Sequence, residues 1–181
     1  MWEIADRLAR VLASVVIAVC LVEAAFAENA QQEAITATVM GEMVQKVGYR
    51  ALIQKQAIMY NLAGYARNDP DGTVGVRLQG DKNRIDKTLG AISAGTKTSS
   101  RANIIGETQT ALDPDLRTFT IIGWTSQSRN ISNPYDLVFD LRPADDEVSA
   151  AEAKAIWNAI AESTLKGEDL AKFMKHLSDD E

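Results

Sequence analysis

Ile35, Ala37 and Val39 alternate with Thr36, Thr38 and Met40, the two-residue period of a half-buried strand. After Gly41 the period changes. From Arg50 to Leu62 helix formers dominate, and Leu52, Ile53, Ala57 and Tyr60 recur at three- and four-residue steps, which predicts an amphipathic helix. Gly64 is expected to stop it. A short strand from Tyr65 to Asn68 then leads into Asp69-Pro70-Asp71-Gly72, a dense turn string. Thr73, Val74, Val76 and Leu78 complete a hairpin around that turn. Asp81 is placed to cap a second helix, whose buried face would carry Ile85, Thr88, Leu89 and Ile92 and which ends at Gly95. Two more strands are readable at Ala102 to Thr108 and Arg117 to Trp124, with Asp113-Pro114-Asp115 in the loop between them.

The resulting order, βαββαβ with two helices on one face of a mainly antiparallel sheet, describes a ferredoxin-like α+β sandwich. Beyond it, Tyr135, Leu137, Phe139 and Leu141 alternate with Asp136, Val138, Asp140 and Arg142, giving an extra edge strand that Pro143 terminates. Ser149 and Glu152 form a capping-box pattern ahead of a helix carrying Ala153, Ile156, Trp157 and Ile160, and a last helix is read from Glu168 to Leu177. The apolar stripes of these two helices, which include Phe173 and Leu177, are expected to cover a sheet edge or face rather than form a groove for another protein. The acidic end, Ser178 to Glu181, reads as a solvated tail.

The amino-terminal segment has a different logic. Arg7 and Arg10 precede an apolar run from Val11 to Val22, and Ala25-Phe26-Ala27 supplies the small residues of a cleavage site. The run is shorter than the roughly 20 residues a membrane-spanning helix needs, and Glu23 closes it. Residues 1–27 are therefore read as a secretory signal, 28–142 as a domain with an added edge strand, and 143–181 as a helical extension. A protein processed in this way would be periplasmic or secreted, with no stable membrane insertion after cleavage. Cys20 lies inside the signal, so the mature chain has no cysteine, which excludes thiol catalysis and cysteine-zinc sites. With 46% hydrophobic and 24% charged residues the chain has ordinary globular usage and is expected to fold. Its formal net charge of −6 argues against nucleic acid as a partner, since that needs a basic footprint.

The loop between the first strand and the first helix, Gly41 to Arg50, is where this arrangement can hold an anion. Backbone N–H groups of a tight loop and of a helix N-terminus converge there, and the helix dipole adds partial positive charge. Arg50 in the first helical turn opposes that dipole, so something negative should compensate it. A phosphate held by bidentate, charge-assisted hydrogen bonds would do so. From position alone, an Arg50 that points to solvent or pairs with a surface carboxylate is an equal alternative. Asn68, ahead of Asp-Pro-Asp-Gly, reads by itself as ordinary turn chemistry. His176, the sole histidine, sits near a helix C-terminus, where a cation is favoured, and no local motif makes it part of a triad.

The run Val44-Gln45-Lys46-Val47-Gly48-Tyr49-Arg50, followed by Gly64-Tyr65-Ala66-Arg67-Asn68, Asp71-Gly72-Thr73-Val74 and Gln79-Gly80, resembles the acylphosphatase family. The resemblance covers Ile35 to about Ile122. It implies hydrolysis of acyl phosphates to carboxylate and phosphate without a metal or other cofactor. It further implies that Val44, Gln45, Lys46, Val47, Gly48 and Tyr49 cradle the phosphate, that Arg50 binds the phosphoryl oxygens, and that Asn68 orients the attacking water. The partner expected is thus a small acyl phosphate or inorganic phosphate; a protein partner for the terminal helices is unknown. Two departures stand out. The family usually has glycine where Lys46 stands, and either one residue is inserted between Gly41 and Val44 or Glu42 stands in place of an earlier loop glycine. A lysine can meet a left-handed glycine conformation only with strain, and Glu42 would repel a phosphate if it faced one. A non-catalytic anion-binding or protein-interaction module on the same fold is the alternative these departures raise.

Overall fold

Six strands form the sheet, in the order β4-β1-β3-β2-β5-β6. The computed structural model describes residues 32–95, 102–144 and 146–179; the signal-like segment with Cys20, and the last two residues of the acidic tail, lie outside them. The strands are β1 (Gln32–Met40), β2 (Ala63–Asn68), β3 (Val74–Asp81), β4 (Asn103–Gln109), β5 (Thr118–Ser126) and β6 (Ile131–Asp140). The helices are α1 (Tyr49–Tyr60), α2 (Lys82–Ala94), α3 (Ala150–Thr164) and α4 (Gly167–Asp179). Residues 33–181 make one compact unit. Within it β2 and β3 pair antiparallel, β2 and β5 parallel, and β5 and β6 antiparallel, so the strand read as an added edge lies at the sheet's β5 side.

The period-2 reading of β1 holds: Ile35, Ala37 and Val39 are buried, while Thr36 and Thr38 are half-buried. Asp81 caps α2 by accepting the Arg84 N–H at 3.2 Å, and Ser149 caps α3 by accepting that of Glu152 at 3.2 Å. The end of α1 differs from expectation. Asn61, not Gly64, stops the helix: it adopts the left-handed conformation (φ 54°) and its side chain both donates to the Arg142 carbonyl and accepts the Arg142 N–H. Gly64 instead belongs to β2, where φ is 139° and an added Cβ would lie 1.9 Å from the Arg77 carbonyl oxygen across the ladder. Its role is close strand approach, which a sequence pattern reads equally well as a stop.

One apolar core unites all these elements. Ile53, Ile58, Leu62, Phe119, Ile121 and Leu137 are buried together with Trp157, Ala161 and Phe173 of the terminal helices. The terminal helices therefore pack against this chain's own sheet, as their stripes suggested: α3 touches β6 and α1, and α4 touches β6 and α3. Trp157 meets Trp124 of β5 edge-on at 5.7 Å between ring centroids, and Phe173 of α4 at 6.1 Å. Two polar residues anchor α1 to β5. Gln54, fully buried, donates to the carbonyls of Phe119 and Leu137 at 3.1 and 2.7 Å. Arg50, one turn earlier on the same helix face, is the other.

Candidate active site

The loop before α1 is shaped by two left-handed residues, Lys46 (φ 65°) and Gly48 (φ 80°). At Gly48 nothing lies within 4 Å of a built Cβ, so backbone conformation and not space selects glycine there. Lys46 adopts the strained conformation that its departure from the family pattern implied. Gly48 is the N-cap of α1, with no side-chain cap, and the first turn of the helix carries no acidic residue. No side chain of that turn therefore balances the positive end of the helix dipole.

Arg50 is not the solvent-facing side chain that position alone allowed. It is 8% exposed, and Nη1 donates to the carbonyls of Ile122 and Gly123 at 2.7 and 2.8 Å. Both carbonyls can reach one nitrogen because β5 is irregular between Ile121 and Trp124, where Gly123 takes φ 60°. The Gly123 N–H is in turn held by Asp136 of β6 at 2.8 Å. Nη1 therefore spends its two hydrogens on backbone, leaving Nε and Nη2 to meet an anion in the fork geometry of a guanidinium. No described carboxylate forms an ion pair with Arg50, and burial pulls its pKa below the ordinary value. A buried cation with neutral partners gains from a counter-charge.

Asn68, at the end of β2, brings a second unsatisfied group. Its Oδ1 is buried and has no hydrogen-bond partner among the described residues. Arg50 and Asn68 line the same cavity, of about 310 Å³. One wall is made by Val44, residues 46–51 and Asn68, and the other by residues 124–129 at the end of β5 and in the turn to β6.

Of the six loop residues expected to cradle phosphate, Val44, Lys46, Val47, Gly48 and Tyr49 line the cavity. Two of these have side chains committed elsewhere. Val44 is buried in the core, and the Tyr49 hydroxyl donates to the Ile92 carbonyl at 2.9 Å beneath α2. Gln45 does not line the cavity. Its Nε2 donates to the carbonyls of Asp69 and Thr73, at 2.8 and 2.7 Å, tying the loop to the β2–β3 turn next to Asn68. Gln45 is thus a positioning residue that fixes the loop relative to Asn68. The pattern reading missed Gly123, Asp136 and the whole second wall. A lone glycine inside the strand pattern Arg117 to Trp124 is a bulge signal and pointed to the first of these.

The acylphosphatase family model matches residues 35–121 of the chain. An acylphosphatase of Methanocella arvoryzae is 44% identical over 61 residues, spanning 34% of this chain and 69% of the relative. An acylphosphatase of Chlorobaculum tepidum is 36% identical over 84 residues, spanning 46% of this chain and 90% of the relative. The crystal structure of acylphosphatase from Bacillus subtilis superposes with a TM-score of 0.45 at 26% identity, covering 49% of this chain and 98% of that one. With 90% of the Chlorobaculum tepidum relative matched at 36% identity, the chain belongs to the acylphosphatase family of hydrolases.

Proposed function

We propose that the protein hydrolyses acyl phosphates, with the phosphoryl group held by Arg50 and the loop of residues 44–49, and with the attacking water held by Asn68. The observation that carries this reading is the pairing, in one cavity, of a buried guanidinium tethered through a single nitrogen and a buried amide oxygen lacking a partner. Left-handed residues two apart, directly before an uncapped helix N-terminus, build the kind of amide concavity that binds phosphate.

The reaction asks little more of the protein. The oxygen of water forms a bond to phosphorus as the bond from phosphorus to the acyl oxygen breaks, and the electron pair leaves on the carboxylate. That carboxylate has a conjugate acid of pKa near roughly 4, so no general acid is needed. The proton released by water passes to the phosphate or to solvent. Arg50 neutralises the charge on the equatorial oxygens without reorganising, because Ile122 and Gly123 already fix it. Asn68 Oδ1 accepts a hydrogen from the water and holds it in line. The first segment, read as a secretory signal, would deliver this activity outside the cytoplasm, and mass spectrometry of the mature N-terminus in the native host checks for a start at Glu28.

Turnover of benzoyl phosphate by the purified protein tests the reading. Asn68→Ala is expected to lower kcat by about a hundredfold or more while leaving phosphate affinity nearly intact, as loss of a group that acts only on the water requires. Arg50→Ala should abolish both. Phosphate binding without turnover by the unmutated protein would replace the hydrolase with the anion-binding module.

A further inference from the structure

The second wall of the cavity lies beyond residue 121, where the match to the family ends. Residues 124–129 enter it from the end of β5 and the turn into the added strand β6. The turn has a defined shape: the Asn130 N–H donates to Gln127 O at 3.1 Å with Asn130 left-handed (φ 53°), and Ser126 Oγ accepts the Arg129 N–H at 3.3 Å. Ser126 and Ser128 share a hydrogen bond of 3.2 Å between their hydroxyls.

Arg129 is the charged member of this wall, and the C-terminal helices fix it. Its guanidinium carbon lies 5.9 Å from the ring centre of Trp157 on α3 and 5.6 Å from that of Phe173 on α4. Both rings are buried, and Trp157 also packs on Trp124, which lines the cavity. The extension thus holds in place an arginine of the β5–β6 turn that lines the same cavity as the loop before α1. With Arg50 and Lys46 this arginine makes three cationic residues lining one cavity, and no carboxylate lines it among the described residues. In a chain of net charge −6 this is a local reversal of sign. The cavity's 310 Å³ sits at the lower end of small-molecule pockets, about 300–1,000 Å³, and exceeds what a phosphate alone needs.

We propose that this wall selects acyl phosphates whose acyl chain carries a second anionic group, with Arg129 as its receptor and the Ser126, Gln127 and Ser128 side of the turn supplying polar contacts. The proposal rests on the hydrolase reading: the phosphoryl group occupies the Arg50 side, so the leaving acyl group extends toward residues 124–129. A short dicarboxylic acyl phosphate such as succinyl phosphate places its free carboxylate on that side, whereas acetyl phosphate offers nothing there. Lys46 is exposed and set in the loop itself, so it serves the phosphoryl end.

The experiment is the ratio of kcat/KM for succinyl phosphate over acetyl phosphate, measured for the unmutated protein, for Arg129→Ala and for Arg129→Lys. A charge-assisted contact predicts that the ratio falls by about tenfold to a hundredfold in Arg129→Ala, with acetyl phosphate turnover nearly unchanged, and that Arg129→Lys retains part of it. Titration with 3-phosphonopropionate and with inorganic phosphate gives a second readout. The former should bind more weakly to Arg129→Ala, and the latter should bind alike to both proteins. Equal losses on the two substrates would reduce Arg129 to a structural residue, and an unchanged ratio would remove it from recognition; either overturns the proposal while the hydrolase stands. No turnover of either substrate by the folded, unmutated protein would overturn the hydrolase reading and this proposal with it.

Discussion

Lys46 offers a direct measure of what the altered loop costs. Its φ of 65° places it in the left-handed region, which charges a residue with a Cβ about 1–2 kcal/mol. Lys46→Gly removes that strain but gives the unfolded chain more freedom, worth about 0.5–1 kcal/mol in the opposite direction. The net expectation is a stabilisation of up to about 1.5 kcal/mol, or a rise in melting temperature of up to roughly 3–6 °C for a folded unit of this size. Lys46→Ala keeps the strain and, like glycine, loses the charge. The side chain is exposed, so its attraction for a bound phosphate is screened and its loss should raise KM only severalfold, equally in both variants. Thermal unfolding followed by circular dichroism, beside phosphate inhibition constants, separates the two terms. If Lys46→Gly proves no more stable than Lys46→Ala, the loop stores no strain at this position and the reasoning from backbone conformation fails.

Two further substitutions probe how the site and the extension are held. Asp136→Ala removes the acceptor of the Gly123 N–H, which should cost about 1 kcal/mol of stability; because Gly123 carries one of the two carbonyls that fix Arg50, turnover should fall severalfold. Asp136→Asn, which keeps an acceptor, should restore most of it, and equal activity in all three proteins would uncouple the bulge from Arg50. Asp169 of α4 accepts from Asn133 Nδ2 at 2.8 Å and from the Tyr135 hydroxyl at 3.0 Å. The Asn133 hydrogen bond, ahead of that from Tyr135, draws its pKa below the usual carboxylate value against an opposing push from desolvation. The folded state then favours the ionised form, so the docking of α4 is fully supported above the ordinary carboxylate pKa and weakens as pH falls through the lowered value. Tryptophan fluorescence between pH 6 and 2, in acid and in Asp169→Asn, should show an acid transition that the variant lacks; identical curves would remove Asp169 as the latch.

The fold was largely legible because its signals are local and agree with one another. Caps at Asp81 and Ser149, the alternation in β1 and the turn string after Asn68 each state one element unambiguously. Misreadings arose where one residue type serves two ends. Gly64 looks like a stop but allows close approach to Arg77, while the stop is an asparagine whose partner, Arg142, is 81 residues away. The site was legible on one wall only. Arg50 and Asn68 follow from ordered spacing to a known pattern, but nothing in a linear pattern tells that Gln45 turns away to Asp69 and Thr73, or that Arg129 reaches the cavity. Those placements depend on tertiary contacts between segments remote in sequence.

The same remoteness explains why the extension and the site form one physical object. Gln54 of α1 donates to a carbonyl on β5 and to another on β6, so the helix that presents Arg50 rests on both strands. The carbonyls that orient Arg50 belong to a bulge in β5, and the group that pins the bulge belongs to β6. β6 in turn meets α3 and α4. An arginine committed by Nη1 to these carbonyls cannot rotate toward a phosphate that approaches from another side without giving up two short hydrogen bonds. The added strand therefore helps fix the direction in which the Arg50 guanidinium is held, and the turn that joins it to β5 lines the same cavity. A hairpin that helps orient the arginine thus also brings its own side chains to the cavity that the arginine lines.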